Sequence, residues 1–225
     1  MLTIVPTPIG NLKDITLRAI EVLQNCDEVI CEDSRRTSLL LSHYQIKKPL
    51  IVLNDFNEYK SEDFILSKLR EGKNLALVSD AGTPLVSDPG FKIVRAAIEQ
   101  GLEVDSLPGA SSVTTALTLS ALPPDKFMFV GYLPEKEGRR KTQLQNLKQI
   151  NELIATTFIL FVAPHKLIKT LEEIKEELSD PKIVLAKELT KIHQEVKAKQ
   201  ASEFIDEYKK RIPKGEYILL LNFGS

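Results

Sequence analysis

The segment from Ser79 to Gly90 has the residue types best suited to holding a ligand. It is rich in small and turn-forming residues and follows a buried apolar run, and loops this long without structure of their own are usually functional. Gly82 allows a ligand to approach the backbone closely, and Pro84 stiffens the loop by fixing φ. The alternative is a structural connection in which Asp and Ser residues form turns.

Two further loops carry similar residues. Pro6–Asn11 holds two prolines and a glycine after the first apolar run, and Pro108–Ser112 supplies small residues and hydroxyls where a helix begins. Ser111 could equally be a plain helix N-cap. Neither loop reads G-x-G-x-x-G, and G-x-x-x-x-G-K-[ST] occurs nowhere in the chain, which disfavours a pyrophosphate cradle.

Charged side chains cluster at Glu32–Arg36, directly after a second apolar run. These carboxylates could supply a catalytic acid or base, or Asp33 or Ser34 could cap a salt-bridged helix. The segment 54–58 carries similar polar groups after the third run. The chain has three histidines and two cysteines, without metal-ligand spacing, so we expect no metal. Cys31 reads as a buried apolar residue.

Basic residues cluster at Gly138–Lys141 and again at Lys209–Lys214. The formal net charge is only −1, which excludes a uniformly basic nucleic-acid binder but leaves local patches open. Acidic residues predominate before residue 121 and basic residues after it. The first cluster lies in a charged stretch, 135–141, that we expect to be flexible and able to clamp a phosphate.

Apolar runs and helical patterns alternate from residue 2 to about residue 121, which predicts a mostly parallel sheet covered by helices on both sides. A helix is predicted from about Asp14, with later helices ending at Gly72 and Gly101. Pro123-Pro124 breaks the pattern, so we place the domain boundary there. The sequence thus predicts an α/β protein with an N-terminal parallel-sheet domain, 1–121, and a C-terminal α+β domain with a mixed sheet, 122–225.

The second half has adjacent strand-like runs without helices between them, which suggests antiparallel pairing. Strands are predicted at 127–130, 157–162, 183–186, 192–198 and 217–222, and helices at 142–153, 167–178 and 202–210. No apolar stretch reaches the roughly 20 residues that a membrane span needs. Met1 leads into a short apolar run ending at Pro6, so we expect no signal peptide and a cytoplasmic protein.

The motifs in order resemble the tetrapyrrole (corrin/porphyrin) methylase superfamily, and within it the branch that methylates ribosomal RNA. The resemblance runs from about Thr3 to Asn222 and is densest before residue 141. It rests on the following blocks: Val5–Thr16, Glu32–Arg35, Leu77–Pro84, Ser87–Gly90, Leu107–Gly109, Gly138–Arg140, Pro164–Leu167 and Lys187–Lys191.

This resemblance implies a homodimer in which each chain binds S-adenosylmethionine in a cleft between its two domains. The acceptor it implies is the ribose 2′-hydroxyl of a cytidine in the decoding region of small-subunit (16S) ribosomal RNA. The partner is that RNA or the assembled small subunit. The cofactor contacts that it implies are Pro8, Ile9, Gly82, Thr83, Val86, Ser111, Ser112, Phe161, Val162 and Ala198.

For catalysis we select Asp33 and Glu32 as candidate bases for the ribose hydroxyl, with Asp88 behind them. Arg35, Arg139 and Arg140 are the candidates for contact with splayed, single-stranded RNA.

Two departures from the branch keep other readings open. Val162 stands where a glutamate is usual, and we expect the chain, ending at Ser225, to lack a small C-terminal domain that many members carry. The alternatives are a small-molecule methylase of the tetrapyrrole branch and a non-catalytic protein that binds the ribosomal subunit.

Overall fold

The structure of this chain, a computed structural model, describes residues 1–53 and 58–223. Contacts between residues divide it into two compact units, Met1–Ser111 and Ser112–Ser225. The polar segment 54–57 lies outside the described residues. The division falls ten residues before the expected domain boundary at 121/122, which stays a prediction, as does the interdomain cleft.

Unit 1 is a five-stranded parallel sheet with the order β3-β2-β4-β1-β5. Its strands are β1 Leu2–Ile4, β2 Glu28–Cys31, β3 Leu50–Val52, β4 Leu75–Leu77 and β5 Val104–Ser106, and its helices are α1 Leu17–Asn25, α2 Ser34–His43, α3 Glu58–Arg70 and α4 Phe91–Glu99. The parallel sheet predicted for the first half is confirmed.

Both faces of this sheet are covered by helices, as predicted. On one face Leu2, Leu75 and Leu77 pack with apolar residues of α3 and α4. On the other face Val29 and Cys31 pack with residues of α1 and α2, so the apolar reading of Cys31 is confirmed. Burial on both faces explains why these strands are short apolar runs without alternation.

Helix α1 begins later than predicted. The side chain of Thr16 accepts a hydrogen bond from the Ala19 N–H and caps the helix, while Leu12–Asp14 forms a separate 3₁₀ turn. Thr16 supplies a start signal that outweighs the apolar spacing of Ile15.

Unit 2 is built on a mixed sheet with the order β6-β7-β10-β8-β9. Its strands are β6 Phe127–Tyr132, β7 Thr157–Val162, β8 Lys182–Lys187, β9 Glu195–Gln200 and β10 Tyr217–Leu221, and its helices are α5 Ser112–Leu119, α6 Glu137–Leu153, α7 Leu167–Leu178 and α8 Ala201–Lys209. β6 and β7 are parallel and the other pairs are antiparallel. The predicted mixed sheet is confirmed.

One face of this second sheet is covered by α6, α7 and α8. Alternate strand residues, among them Leu160, Val162 and Leu219, form a buried core with these helices. The alternation leaves Phe161 and Ile218 on the opposite face. β9 lies at 195–200 rather than at 192–198, and Ile192 is almost fully exposed in the loop before it.

The stretch 135–141 is not a flexible loop, contrary to prediction. Residues from Glu137 onward form the first turns of α6. Lys141 pairs with Glu137 one turn away and with Glu176 on α7, and these contacts order a segment whose local composition is typical of a loop. Within the described residues, no helix is long and apolar enough to span a membrane.

Candidate cofactor and substrate site

Three loops of unit 1 meet at the carboxyl edge of its sheet, after the neighbouring strands β4, β1 and β5. Thr7 and Gly82 form a two-way bridge in which each backbone N–H donates to the other carbonyl, at 2.9 and 3.0 Å. The Thr7 hydroxyl donates to the Ser79 carbonyl at 3.1 Å. The Thr83 hydroxyl donates to the Ala110 carbonyl, also at 3.1 Å. The three loops predicted separately from the sequence are therefore one hydrogen-bonded assembly.

Glycine is required at two points of this assembly. Gly82 has φ of +85°, and a Cβ there would lie 3.3 Å from Cγ2 of Ile9. A Cβ on Gly109 would lie 2.5 Å from Cβ of Pro6, a ring that cannot swing away. At Gly82 the positive φ favours glycine, and at Gly109 the Pro6 ring leaves no room for a Cβ.

The second half of the Ser79–Gly90 loop holds an unusual backbone. Leu85 and Ser87 have φ of 73° and 70°, and Gly90 has φ of +117°. A Cβ on Gly90 would lie 2.9 Å from side-chain atoms of both Leu77 and Leu85. Leu85 packs against the core of unit 1, while Val86 is 41% exposed. Left-handed backbone at non-glycine residues costs energy and clusters at functional sites.

The predicted bases lie at the start of α2, where Asp33 caps the helix. Its carboxylate accepts hydrogen bonds from the Arg35 backbone N–H at 2.8 Å and from the Arg35 guanidinium at 3.0 and 2.6 Å. The guanidinium bonds, followed by the backbone bond, lower the pKa of Asp33 to about 2. Of the two roles left open by the sequence, the cap is confirmed. Glu32 is half-buried beside it.

The predicted cofactor residues of unit 2 divide between the two faces of its sheet. Phe161 is half-buried on the face away from α6–α8, and the alternation along β9 puts Ala198 on that face too, opposite to Lys197 and Lys199, which contact α8. Val162 points the other way, into the core beneath the helices, and is 5% exposed. The Val162 side chain is therefore part of the core, which leaves only its backbone for a ligand.

The three predicted RNA contacts also differ in position. The Arg35 side chain is 88% exposed although it pairs with Asp33. Arg139 is exposed on the first turn of α6. Arg140 is buried: its guanidinium donates to both Glu173 oxygens, at 2.7 and 2.6 Å, and to the carbonyls of Pro134 and Glu135. Since its donors are used inside the protein, we remove Arg140 from the RNA candidates.

A family model described as Tetrapyrrole (Corrin/Porphyrin) Methylases matches residues 1–205. The chain belongs to the tetrapyrrole methylase family. Ribosomal RNA small subunit methyltransferase I of Thermotoga maritima is 44% identical over 221 residues, covering 98% of this chain and 97% of the relative. The protein of the same name from Escherichia coli O157:H7 is 43% identical, covering 98% of this chain and 77% of that protein.

Two solved structures of distant sequence share the fold. A diphthine synthase superimposes with a TM-score of 0.76 at 19% identity, covering 98% of this chain and 89% of the other. A cobalt precorrin-4 methyltransferase of cobalamin biosynthesis gives 0.71, also at 19% identity, covering 97% and 93%. These structures establish the architecture of this methylase.

The residue types in the loops of this methylase are compatible with the adenosyl group of S-adenosylmethionine. The amide groups of Thr7 and Gly82 are used in their own bridge, so the loops offer a ligand the Thr83 hydroxyl oxygen as an acceptor and the Ile9 side chain as an apolar wall. Such groups suit an uncharged purine nucleoside, and closely packed glycines allow its approach to the backbone.

Within residues 1–53 and 58–223, no three His, Cys, Asp or Glu residues are grouped as metal ligands.

Asp80 is a residue of the candidate site that was not predicted from the sequence. Its carboxylate accepts the Asp33 backbone N–H at 3.1 Å and lies 3.4 Å from the Arg36 guanidinium. It thereby joins the Ser79–Gly90 loop to the start of α2. The signal in the sequence was its place in the Ser79–Gly90 loop, but its partners lie more than forty residues earlier.

Proposed function

We propose that this chain is an S-adenosylmethionine-dependent methyltransferase of small-subunit ribosomal RNA. The observation that carries the proposal is the 44% identity, over nearly the whole of both chains, to a relative named for that activity. The loop assembly of unit 1 supports it, since the Thr83 hydroxyl oxygen and the closely packed glycines suit an adenosyl ligand. We further propose a cytoplasmic homodimer.

The finer proposal is that the acceptor is the ribose 2′-hydroxyl of a cytidine in the decoding region of 16S ribosomal RNA. Bound S-adenosylmethionine supplies an electrophilic methyl group on a sulfonium. The ribose oxygen forms a bond to that carbon as the carbon–sulfur bond breaks, and the hydroxyl proton leaves to water or to a base. Most of the rate then comes from holding the hydroxyl in line with the methyl group.

Residues of the chain divide this work. Pro8, Ile9, Gly82, Thr83, Val86, Ser111 and Ser112 are proposed to hold the cofactor with Phe161, Ala198 and the backbone of Val162. Arg35 and Arg139 are proposed to meet RNA phosphates. Glu32 is the remaining candidate base beside the cap, with Asp88 behind it, because a carboxylate of pKa about 2 is a weak proton acceptor.

The test is transfer of labelled methyl groups from S-adenosylmethionine to purified small subunits that lack the modification, followed by digestion and mass mapping. We expect one labelled cytidine ribose. Label on a base, or on no nucleotide, contradicts the 2′-hydroxyl acceptor. The same protein is offered a porphyrinogen, and transfer to that acceptor alone would favour a small-molecule methylase.

Replacement of Thr83 tests the cofactor site directly. Thr83→Trp puts a large ring between two loops joined by a hydroxyl bond, whereas Thr83→Ser keeps the hydroxyl. Calorimetric titration is expected to show S-adenosylmethionine binding by wild type and Thr83→Ser and its loss in Thr83→Trp. A folded wild-type protein that binds subunits and no cofactor would instead be a non-catalytic subunit-binding protein.

A further inference from the structure

Three aromatic rings form a cluster on the face of the second sheet that α6–α8 do not cover. The centroids of Phe129 and Phe161 are 4.9 Å apart and those of Tyr132 and Phe161 are 5.5 Å apart, both in edge-to-face geometry. Such pairs stabilise one another beyond their burial and fix the ring planes. Tyr132 is nevertheless 60% exposed, so a fixed aromatic ring is presented to solvent.

A β-bulge places Tyr132 in this cluster. Phe129 pairs with Ile159, but Gly131 pairs with Leu160, so one extra residue is inserted in β6. Strand alternation alone would put residues 129 and 132 on opposite faces. With the bulge, and Gly131 at φ of +72°, Val130 turns towards the helix-covered core and Tyr132 joins Phe129. Bulges often re-aim a side chain next to a functional site.

The segment after Tyr132 carries exposed cations. Glu135 pairs with Lys166, and Glu137 pairs with Lys141 and Lys169. In contrast, Lys136 and Arg139 are exposed and form no ion pair with any described residue. An exposed aromatic ring followed by available cations is the combination that binds single-stranded nucleic acid, by base stacking and phosphate contact.

We propose that Tyr132, backed by Phe161, is a stacking platform for an unpaired nucleobase. This inference rests on the proposed function, which supplies two sources of that base: a nucleotide of the acceptor RNA and the adenine of the cofactor. The exposed cations Lys136 and Arg139 follow Tyr132 within seven residues of the chain, and such cations favour the RNA. Every nucleobase has a π face, so the platform itself requires no particular base.

The experiment compares Tyr132→Phe, which keeps the ring, with Tyr132→Leu, which keeps apolar bulk and removes the ring. Affinity is measured by calorimetry for S-adenosylmethionine and by filter binding for unmodified small subunits. We expect Tyr132→Phe to stay within about twofold of wild type for both. Tyr132→Leu should weaken subunit binding by roughly 5- to 100-fold, the range that stacking of one base supports.

The matched control is Phe64→Leu, which removes a similarly exposed ring, 53% exposed, from α3 of unit 1. It should change neither affinity. Thermal melting confirms that each variant is folded. Weakened cofactor binding with unchanged subunit binding would assign the platform to the adenine.

If Tyr132→Phe and Tyr132→Leu bound each ligand with equal affinity, this result would overturn the stacking proposal. So would a change confined to the oligomeric state in sedimentation, which would make the ring part of a contact between two copies. Failure of the proposed function is distinguishable, because it appears as wild-type protein that transfers no methyl group to subunits. Wild type that binds neither ligand overturns both proposals.

Discussion

At the scale of single residues, Asp33 could act as a helix cap or as the catalytic base, and the two roles predict different mutant behaviour. Its hydrogen bonds to Arg35 cap α2, and asparagine can replace a capping aspartate with little loss. We therefore expect Asp33→Asn to keep methyl transfer within about threefold of wild type, while Asp33→Ala lowers the melting temperature. If Asp33 were the base, the Asn variant would lose transfer as completely as the Ala variant.

The same carboxylate gives a pH dependence whose sign follows from its pKa. The folded value, about 2, lies below the ordinary 3.8, so its contribution to stability is complete above the ordinary pKa and is lost as the pH falls towards 2. The stability difference between wild type and Asp33→Asn should accordingly shrink between pH 4 and pH 2. Urea unfolding at several pH values measures it, and a difference independent of pH would remove the ion pair from the explanation.

Gly109 provides a second test at this scale, since its Cβ would meet the rigid ring of Pro6 at 2.5 Å. Gly109→Ala should lower the free energy of unfolding by about 1–3 kcal/mol and weaken cofactor binding. Gly138→Ala is the control, because nothing lies within 4 Å of that Cβ in α6 and alanine suits a helix better by about 0.5–1 kcal/mol. Equal effects of the two substitutions on chemical denaturation would contradict the packing argument.

At the scale of elements, the start of α6 depends on a buried ion pair with α7. Arg140 and Glu173 have side chains 11% and 7% exposed. Removing one partner leaves the other buried and unpaired, so Arg140→Met should cost about 3–5 kcal/mol of unfolding free energy. The double variant Arg140→Met/Glu173→Leu should recover most of this loss in urea titrations. A double variant as unstable as the single one would show that the carbonyl contacts of Arg140 dominate.

This ion pair also shows why one element could not be predicted. The pattern of apolar runs was sufficient for most strands of both sheets, because burial on one or both faces selects apolar residues. It was not sufficient for β9, which has no buried residue and lies at 195–200 rather than at 192–198. The start of α6 instead depends on Glu173 and Glu176, which lie more than thirty residues later on α7. Local composition at 135–141 carries no sign of these partners, so the segment was predicted to be flexible.

The candidate site likewise has parts that local sequence predicts and parts that depend on residues distant in the chain. The loops after β1, β4 and β5 were predictable, because glycine and proline after a buried strand indicate close backbone approach. The role of Asp80 depends on its contacts with Asp33 and Arg36. The position of Tyr132 depends on an extra residue in β6. Both are consequences of folding that no local pattern reveals.

At the scale of the whole molecule, a net charge of −1 limits how the chain can bind a polyanion. Without a general excess of positive charge, affinity for ribosomal RNA must come from a few local cations. The exposed candidates lie on both units: Arg35 at the start of α2, and Lys136 and Arg139 around the start of α6. Binding should consequently have a shallow dependence on salt.

The salt dependence gives the test, because each phosphate contact to a single strand contributes about 0.7 to the slope of log K against log salt. Arg35→Gln/Arg139→Gln removes two proposed contacts and should make the slope shallower by about 1.4 while cofactor affinity is unchanged. Arg95→Gln is the control, since that exposed arginine pairs with Glu99 within α4. Filter binding of small subunits across a salt series measures all three proteins. An unchanged slope in the double variant would mean that RNA phosphates contact other residues. A general structural effect would lower log K at every salt concentration without changing the slope.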